Sequence, residues 1–233
     1  MYALILAGGK GERLRPLTDT LPKPMVPVQG MPILWHQVQW LKAAGVTDVV
    51  FLAGYRWEAI QDFFGDGKEF GINAHYSVED SPLGRGGAIR NGFPLVPEEE
   101  DLVVVLNGDV ITEEPFDSLA QRHSERKSAN PSHLATIMVV PFTSPYGLVD
   151  MNPEGDVIGF REKVPMPYWI NAGVYLFERQ IVSELPDLGD HETETFPRLA
   201  GEGKISAVKS QVFWHSVDSF KDLREVEEHL GSR

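Results

Sequence analysis

The sequence predicts an α/β fold built on a mainly parallel, doubly wound sheet. Three observations point there: short apolar runs that read as buried strands, amphipathic segments of helical period between them, and a glycine-rich turn directly after the first run. The runs are Tyr2–Ala7, Asp48–Ala53, Ile72–Val78, Leu102–Leu106 and Leu134–Val140. Over Pro32–Ala44, Leu34, Val38 and Leu41 fall on one helical face, Pro32 suits a first turn and Gly45 ends the helix. Trp57, Ile60 and Phe64 repeat the pattern over Tyr55–Phe64. Strand and helix in alternation imply right-handed βαβ units.

The second half is less regular. Asp156–Arg161, Ala172–Phe177 and Ile205–Val208 read as strands, and Asp218–Leu230 is an amphipathic helix through Phe220, Leu223, Val226 and Leu230. With no repeat, low-complexity tract or long linker, the 233 residues read as one compact domain, its second half a lobe over the sheet. Composition narrows the function. A net charge of −13 repels nucleic acids and anionic membranes, so neither is expected as a partner. The absence of cysteine excludes disulfides, thiolate catalysis and Cys-ligated zinc. Neither a signal peptide nor an apolar run of about 20 residues is present, and a cytoplasmic protein is expected.

Chemistry concentrates at the start. Strand Tyr2–Ala7 runs into Gly8, Gly9, Lys10, Gly11, Glu12 and Arg13, and Pro22-Lys23-Pro24-Met25 follows. Glycines after a parallel strand let backbone N–H groups approach an anion at the sheet edge where open α/β folds bind ligands. Arg13 and Lys23 supply positive charge; one such pair at about 4 Å contributes about 4 kcal/mol at an effective dielectric near 20. The string is neither G-x-x-x-x-G-K-[ST] nor G-x-G-x-x-G. A second candidate is Asn107-Gly108-Asp109, which places a carboxylate just past a buried strand; magnesium commonly takes one or two such carboxylates. The seven histidines show no metal-ligand spacing, and no Ser/His/Asp arrangement is evident.

The strings LILAGGKGERLRPLT and PKPMVPV resemble the N-terminal motif of the sugar-1-phosphate nucleotidyltransferases, whose later landmarks recur in order across nearly the whole chain. The resemblance implies a Rossmann-like nucleotide-binding sheet over about 1–130 and a sugar-binding half over about 131–233, with no β-helix or acyltransferase domain attached. It also implies that the loop including Leu6, Ala7, Gly8, Gly9 and Gly11 holds the triphosphate, with Arg13 and Lys23 on its phosphates. Asp109 resembles the family's metal-binding aspartate, with Asn107 and Gly108 beside it. The second metal ligand is expected at Asp218, because Trp214-His215-Ser216-Val217-Asp218 resembles the W-x-x-x-D-T form of the glucose-1-phosphate cytidylyltransferases. Many relatives carry that aspartate where Ser216 stands here, and Asp218 at a helix start also suits an N-cap.

Pro82-Leu83-Gly84-Arg85-Gly86-Gly87-Ala88-Ile89 resembles the segment that lies against the nucleobase, which makes Gly84, Gly86 and Gly87 candidate contacts. Ser81 stands in place of the usual glutamate and Arg85 in place of the usual threonine. Tyr146-Gly147-Leu148-Val149, Phe160-Arg161-Glu162-Lys163 and Asn171-Ala172-Gly173-Val174-Tyr175 resemble the sugar-recognition elements. They imply that Gly147, Glu162, Asn171 and Gly173 meet the sugar while Lys163 holds its phosphate; Val164 replaces the usual proline. The expected reaction is Mg²⁺-dependent: a sugar 1-phosphate attacks the α-phosphorus of a nucleoside triphosphate and pyrophosphate leaves. The glycine segment looks like guanylyltransferases for mannose or heptose 1-phosphate, whereas Pro32–His36 and Gly54-Tyr55 look like the glucose cytidylyltransferases; GTP is favoured. A CTP- or UTP-dependent enzyme for glucose 1-phosphate, a non-catalytic subunit binding nucleotide sugars, and a cytidylyltransferase for a non-sugar phosphate stay open, and a homo-oligomer is compatible with the sequence.

Overall fold

The computed structural model describes residues 1–232. In chain order the strands are β1 (Tyr2–Ala7), β2 (Pro27–Val28), β3 (Met31–Pro32), β4 (Asp48–Ala53), β5 (Asn73–Val78), β6 (Leu102–Asn107), β7 (Val110–Thr112), β8 (Ala135–Thr143), β9 (Leu148–Met151), β10 (Val157–Arg161), β11 (Pro165–Glu178), β12 (Ile205–Lys209) and β13 (Trp214–Ser216). The helices are α1 (Ile33–Ala43), α2 (Glu58–Phe64), α3 (Gly84–Gly92), α4 (Phe116–Ala129), α5 (Thr195–Gly201) and α6 (Phe220–Gly231). No helix among the described residues is long and apolar enough to cross a membrane.

Seven strands form the central sheet in the order β12-β8-β11-β6-β1-β4-β5. Every neighbouring pair is parallel except those made by β11, which runs antiparallel to both β6 and β8. The sheet is doubly wound because its strands are apolar on both sides. Ala3, Ile5 and Ala7 of β1 join the core under α1, α2 and α4, while Leu4 joins the opposite core under α3 and α5. Within the second half, β8, β11 and β12 extend the sheet itself, and the backbone N–H and C=O groups of β11 are paired with β6 on one edge and β8 on the other. Three two-stranded ribbons stand apart from it: β9–β10, β7–β13 and β2–β3.

A third, smaller core decides where the site forms. Leu223 and Val226 of α6 pack with Leu14, Val26, Val28, Ile33, Ile111 and Val217. Each such side chain contributes about 1.5–3 kcal/mol when fully buried, which pins the C-terminal helix against the loops that follow β1. Helix α6 starts two residues later than the sequence pattern suggests. Ser219 is its N-cap, with Oγ accepting the Asp222 N–H at 3.3 Å while Asp222 Oδ2 accepts the Ser219 hydroxyl at 2.8 Å and the Asp218 N–H at 3.0 Å. The capping role thus falls to Ser219 and Asp222, which leaves the Asp218 side chain free for other partners.

Candidate active site

The loop after β1 folds back on itself through Gly11, whose φ of 65° favours glycine. A Cβ there would lie 2.7 Å from Cβ of Lys23, so the glycine admits the Lys23 segment to the loop. Thr18 Oγ1 donates to the Gly11 carbonyl at 2.8 Å, and the Lys23 N–H reaches the Gly9 carbonyl at 3.4 Å. Lys23 is 9% exposed, unusual for a lysine, and its burial is matched by carboxylate partners.

Those partners are the two predicted aspartates. Lys23 Nζ donates to Asp109 Oδ2 at 2.5 Å and to Asp218 Oδ1 at 2.7 Å, and Arg13 Nη2 donates to the same Asp218 oxygen at 2.5 Å. Two elements deliver the aspartates. Asp109 sits in the turn between β6 and β7, where Gly108 donates to the Leu6 carbonyl at 2.9 Å; a Cβ on Gly108 would fall 2.3 Å from that oxygen. The antiparallel ribbon of β7 and β13 pairs Val110 with Ser216, and the Val217 N–H bonds the Asp109 carbonyl at 2.8 Å. Gln37 of α1, buried at 3% exposure, donates to the Asn107 carbonyl at 2.7 Å and to that of Val110 at 2.8 Å, and so clamps both sides of the Asp109 turn.

Burial pushes the Asp218 carboxyl up, but Lys23 and Arg13 outweigh it and hold the group below the usual carboxylate range. Ser216, at the position where many relatives of the resembled family carry the aspartate, donates its hydroxyl to Asp218 Oδ2 at 3.1 Å and supports that side chain. One ammonium reaches both carboxylates, so their oxygens surround a common point, and hard anionic oxygens of this kind suit a small divalent cation. Another group, His215, Asp222 and Glu225, also has ligand atoms close together. There Asp222 is engaged in the α6 cap and Glu225 pairs with His215 at 3.0 Å, which accounts for both carboxylates without an ion.

A cleft of about 320 Å³ opens beside this quartet, lined by Leu6, Gly8, Gly9, Gly84, Asn107 and Gly108 among the expected residues, together with Lys23 and Asp109. Ala7 ends β1 behind the loop. Gly86 and Gly87 lie behind that lining: their N–H groups go to the Gly189 carbonyl at 3.0 and 3.3 Å, and added Cβ atoms would strike Pro186 and Asp187, so they pack the start of α3 against the 186–191 loop. Glu79 also stands in the cleft wall, outside the residues expected from the motifs. Its Oε2 accepts the Leu83 N–H at 3.0 Å, and its Oε1 would lie 2.9 Å from a Cβ on Gly8. The signal was available, because Glu79 directly follows β5 at the sheet edge already expected to bind ligand.

The sugar-half candidates divide. Gly173, at φ 70°, packs on the Asn107 side chain in the cleft wall, and Asn171 accepts the Gly173 N–H on Oδ1 at 3.1 Å. Gly147, Glu162 and Lys163 lie away from this cleft's lining, at the β9–β10 hairpin, all three exposed. Gly147 is set there by the Phe160 ring, which a Cβ would meet at 2.5 Å.

Residues 2–233 match the family model described as Nucleotidyl transferase. The mannose-1-phosphate guanylyltransferase of Mycobacterium tuberculosis is 34% identical over 229 residues, 95% of this chain and 62% of that protein. The mannose-1-phosphate guanyltransferase of Yarrowia lipolytica is 38% identical over 230 residues, 96% of this chain and 62% of that protein. The chain therefore spans about three-fifths of the length of these curated relatives. The crystal structure of HddC from Yersinia pseudotuberculosis superposes with a TM-score of 0.75 at 25% identity, covering 98% of this chain and 99% of that one.

Proposed function

The chain belongs to the nucleotidyl transferase family, and on that premise we propose that it joins GTP to mannose 1-phosphate or a similar hexose or heptose 1-phosphate, releasing pyrophosphate. The family acts on nucleoside triphosphates and sugar 1-phosphates and generally uses a divalent metal. Our reading takes residues 1–233 as one catalytic domain working in the cytoplasm.

The observation that carries the proposal is the Lys23 ammonium held between Asp109 and Asp218 at the rim of a glycine-lined cleft. Asp109 and Asp218 would hold Mg²⁺, which when bound supplies positive charge to the polyphosphate and the leaving pyrophosphate. The glycine loop positions the triphosphate, and Arg13 and Lys23 offset charge that builds during displacement. A phosphate oxygen of the sugar 1-phosphate forms the new bond to the α-phosphorus as the bond to pyrophosphate breaks. That nucleophile is already anionic, so the site needs no strong base. Guanine is supported by the relatives named above and by Glu79, whose carboxylate suits the N1–H and N2–H donors of that base. We assign Asn171 and Gly173 to the sugar, and Gly147, Glu162 and Lys163 to the sugar and its phosphate on the open hairpin side.

Release of labelled pyrophosphate from GTP, dependent on both Mg²⁺ and mannose 1-phosphate, tests the reading. Release without any sugar phosphate would overturn transfer, and a preference for CTP or UTP with glucose 1-phosphate would replace the substrates.

A further inference from the structure

Arg85 stands at the start of α3 and lines the cleft, yet each of its guanidinium nitrogens donates to a carboxylate on the protein side. Nε and Nη2 donate to Asp190 Oδ2 at 2.8 and 2.5 Å, and Nη1 donates to Glu192 Oε1 at 2.5 Å. That same Glu192 oxygen accepts the hydroxyl of Tyr175 at 3.0 Å. Tyr175 is fully buried, its ring set among Phe177, His191 and Phe196. Its oxygen in turn accepts Nδ2 of Asn171 at 2.8 Å.

This chain of contacts has a fixed direction. A carboxylate only accepts, and a phenol carries one proton, so Tyr175 must donate toward Glu192. With its one proton committed to Glu192, the phenol oxygen can only accept at its contact with Asn171, which is therefore the NH₂ side of that amide. At the other end the Gly173 N–H requires an acceptor, which places Oδ1 there. Both constraints select one of the two amide orientations. Without them an amide on a sugar site is free to turn over and offer an oxygen where a nitrogen was, and a sugar hydroxyl would meet the wrong partner.

We infer that Arg85, Glu192 and Tyr175 form a relay that holds the Asn171 amide in one orientation, which makes Arg85 a positioning residue for sugar selection. The inference rests on the reading that this chain accepts a sugar 1-phosphate. Arg85 places the Glu192 acceptor, Tyr175 carries the direction through the core, and Asn171 presents its remaining N–H to a hydroxyl. The relay joins the nucleobase segment to the sugar segment, where Gly173 packs behind Asn107 of the cleft wall.

The test is Tyr175→Phe, which removes one oxygen and keeps the ring, with Arg85→Met as a second variant. A hydrogen bond contributes about 1 kcal/mol net, so the KM for mannose 1-phosphate should rise roughly 5- to 10-fold in Tyr175→Phe. The KM for GTP should stay within about 2-fold, and discrimination against the glucose 1-phosphate epimer should narrow. In parallel, the side-chain NH₂ signals of Asn171 in ¹⁵N spectra of the substrate-free protein should shift and broaden in both variants. Equal changes in both KM values, or no change in either, would overturn the relay and leave Arg85 as a staple for the 186–194 loop. If wild-type protein turns over no sugar 1-phosphate at all, the functional reading fails on its own. Asn171 signals unchanged by Tyr175→Phe would sink the relay whatever the substrate.

Discussion

The phosphate end of the cleft and the β9–β10 hairpin are built on opposite terms. At the first, Lys23 is 9% exposed, both aspartates share it, and three separate chain segments are held by backbone bonds and the α6 core. At the second, Glu162 and Lys163 are exposed, and a two-stranded ribbon shows Met151, Val157, Ile158 and Phe160 at more than half exposure. Stabilising charge in a transition state requires groups that are already in place, since reorganising them during reaction would forfeit the gain. Gathering a sugar phosphate requires instead a surface that substrate can enter. Damage at the first end should therefore appear in kcat, and damage at the second in KM for the sugar phosphate.

The largest effect is expected for Asp218→Asn, which should lower kcat by roughly 10²–10³-fold with an unchanged far-UV spectrum, because the α6 cap belongs to Ser219 and Asp222. Near-normal turnover would reduce Asp218 to an ion-pair partner. Next comes Gln37→Leu. It strands the carbonyls of Asn107 and Val110, so urea titration should show a loss of about 1–3 kcal/mol together with lower kcat as the Asp109 turn loosens. Intact activity at reduced stability would separate the clamp from the chemistry. Lys163→Ala should then raise KM for the sugar phosphate about 10-fold, the equivalent of about 1.4 kcal/mol, with no change in melting temperature; a shift in kcat alone would erase the contrast between the two ends.

The smallest effect concerns pH. The Asp218 carboxyl lies below its ordinary value of 3.8 in the folded protein, so the fold favours its ionised form. The stability this contributes is complete above that ordinary value and is lost as pH falls through the folded one. Wild-type stability should therefore decline more steeply than that of Asp218→Asn below about pH 4, as read by urea titration at each pH. Parallel curves would mean that the ion pairs contribute nothing to folding.

Much of the central sheet was legible in the sequence. The ranges of β1 and β4 match their apolar runs, because a strand buried on both faces is apolar throughout. The less apolar elements were not. Helix α4 buries only Leu119 and His123 and shows little apolar period, and β11 extends far beyond Ala172–Phe177 because its first half is exposed and carries Pro165 and Pro167. Helix α2 begins at Glu58 rather than Tyr55 because Arg56, at φ 50°, sits in a turn. Within the site, Arg13, Lys23, Asp109 and Asp218 were readable as motifs. Their convergence depends on the β7–β13 ribbon, whose three-residue strands leave too short a pattern to find. The Arg85 network escaped for another reason: Arg85 is a departure from the resembled motif, and its partners Asp190 and Glu192 lie 105 and 107 residues away in sequence.

Turnover in the proposed reaction requires Asp109 and Asp218 to hold one divalent cation against a bound triphosphate. Electron paramagnetic resonance of Mn²⁺ titrated into the GTP complex measures this directly, with the wild type set beside Asp109→Asn and Asp218→Asn. Each substitution is predicted to weaken Mn²⁺ binding by at least 10-fold, about 1.4 kcal/mol. Wild-type affinity in both variants would contradict the account.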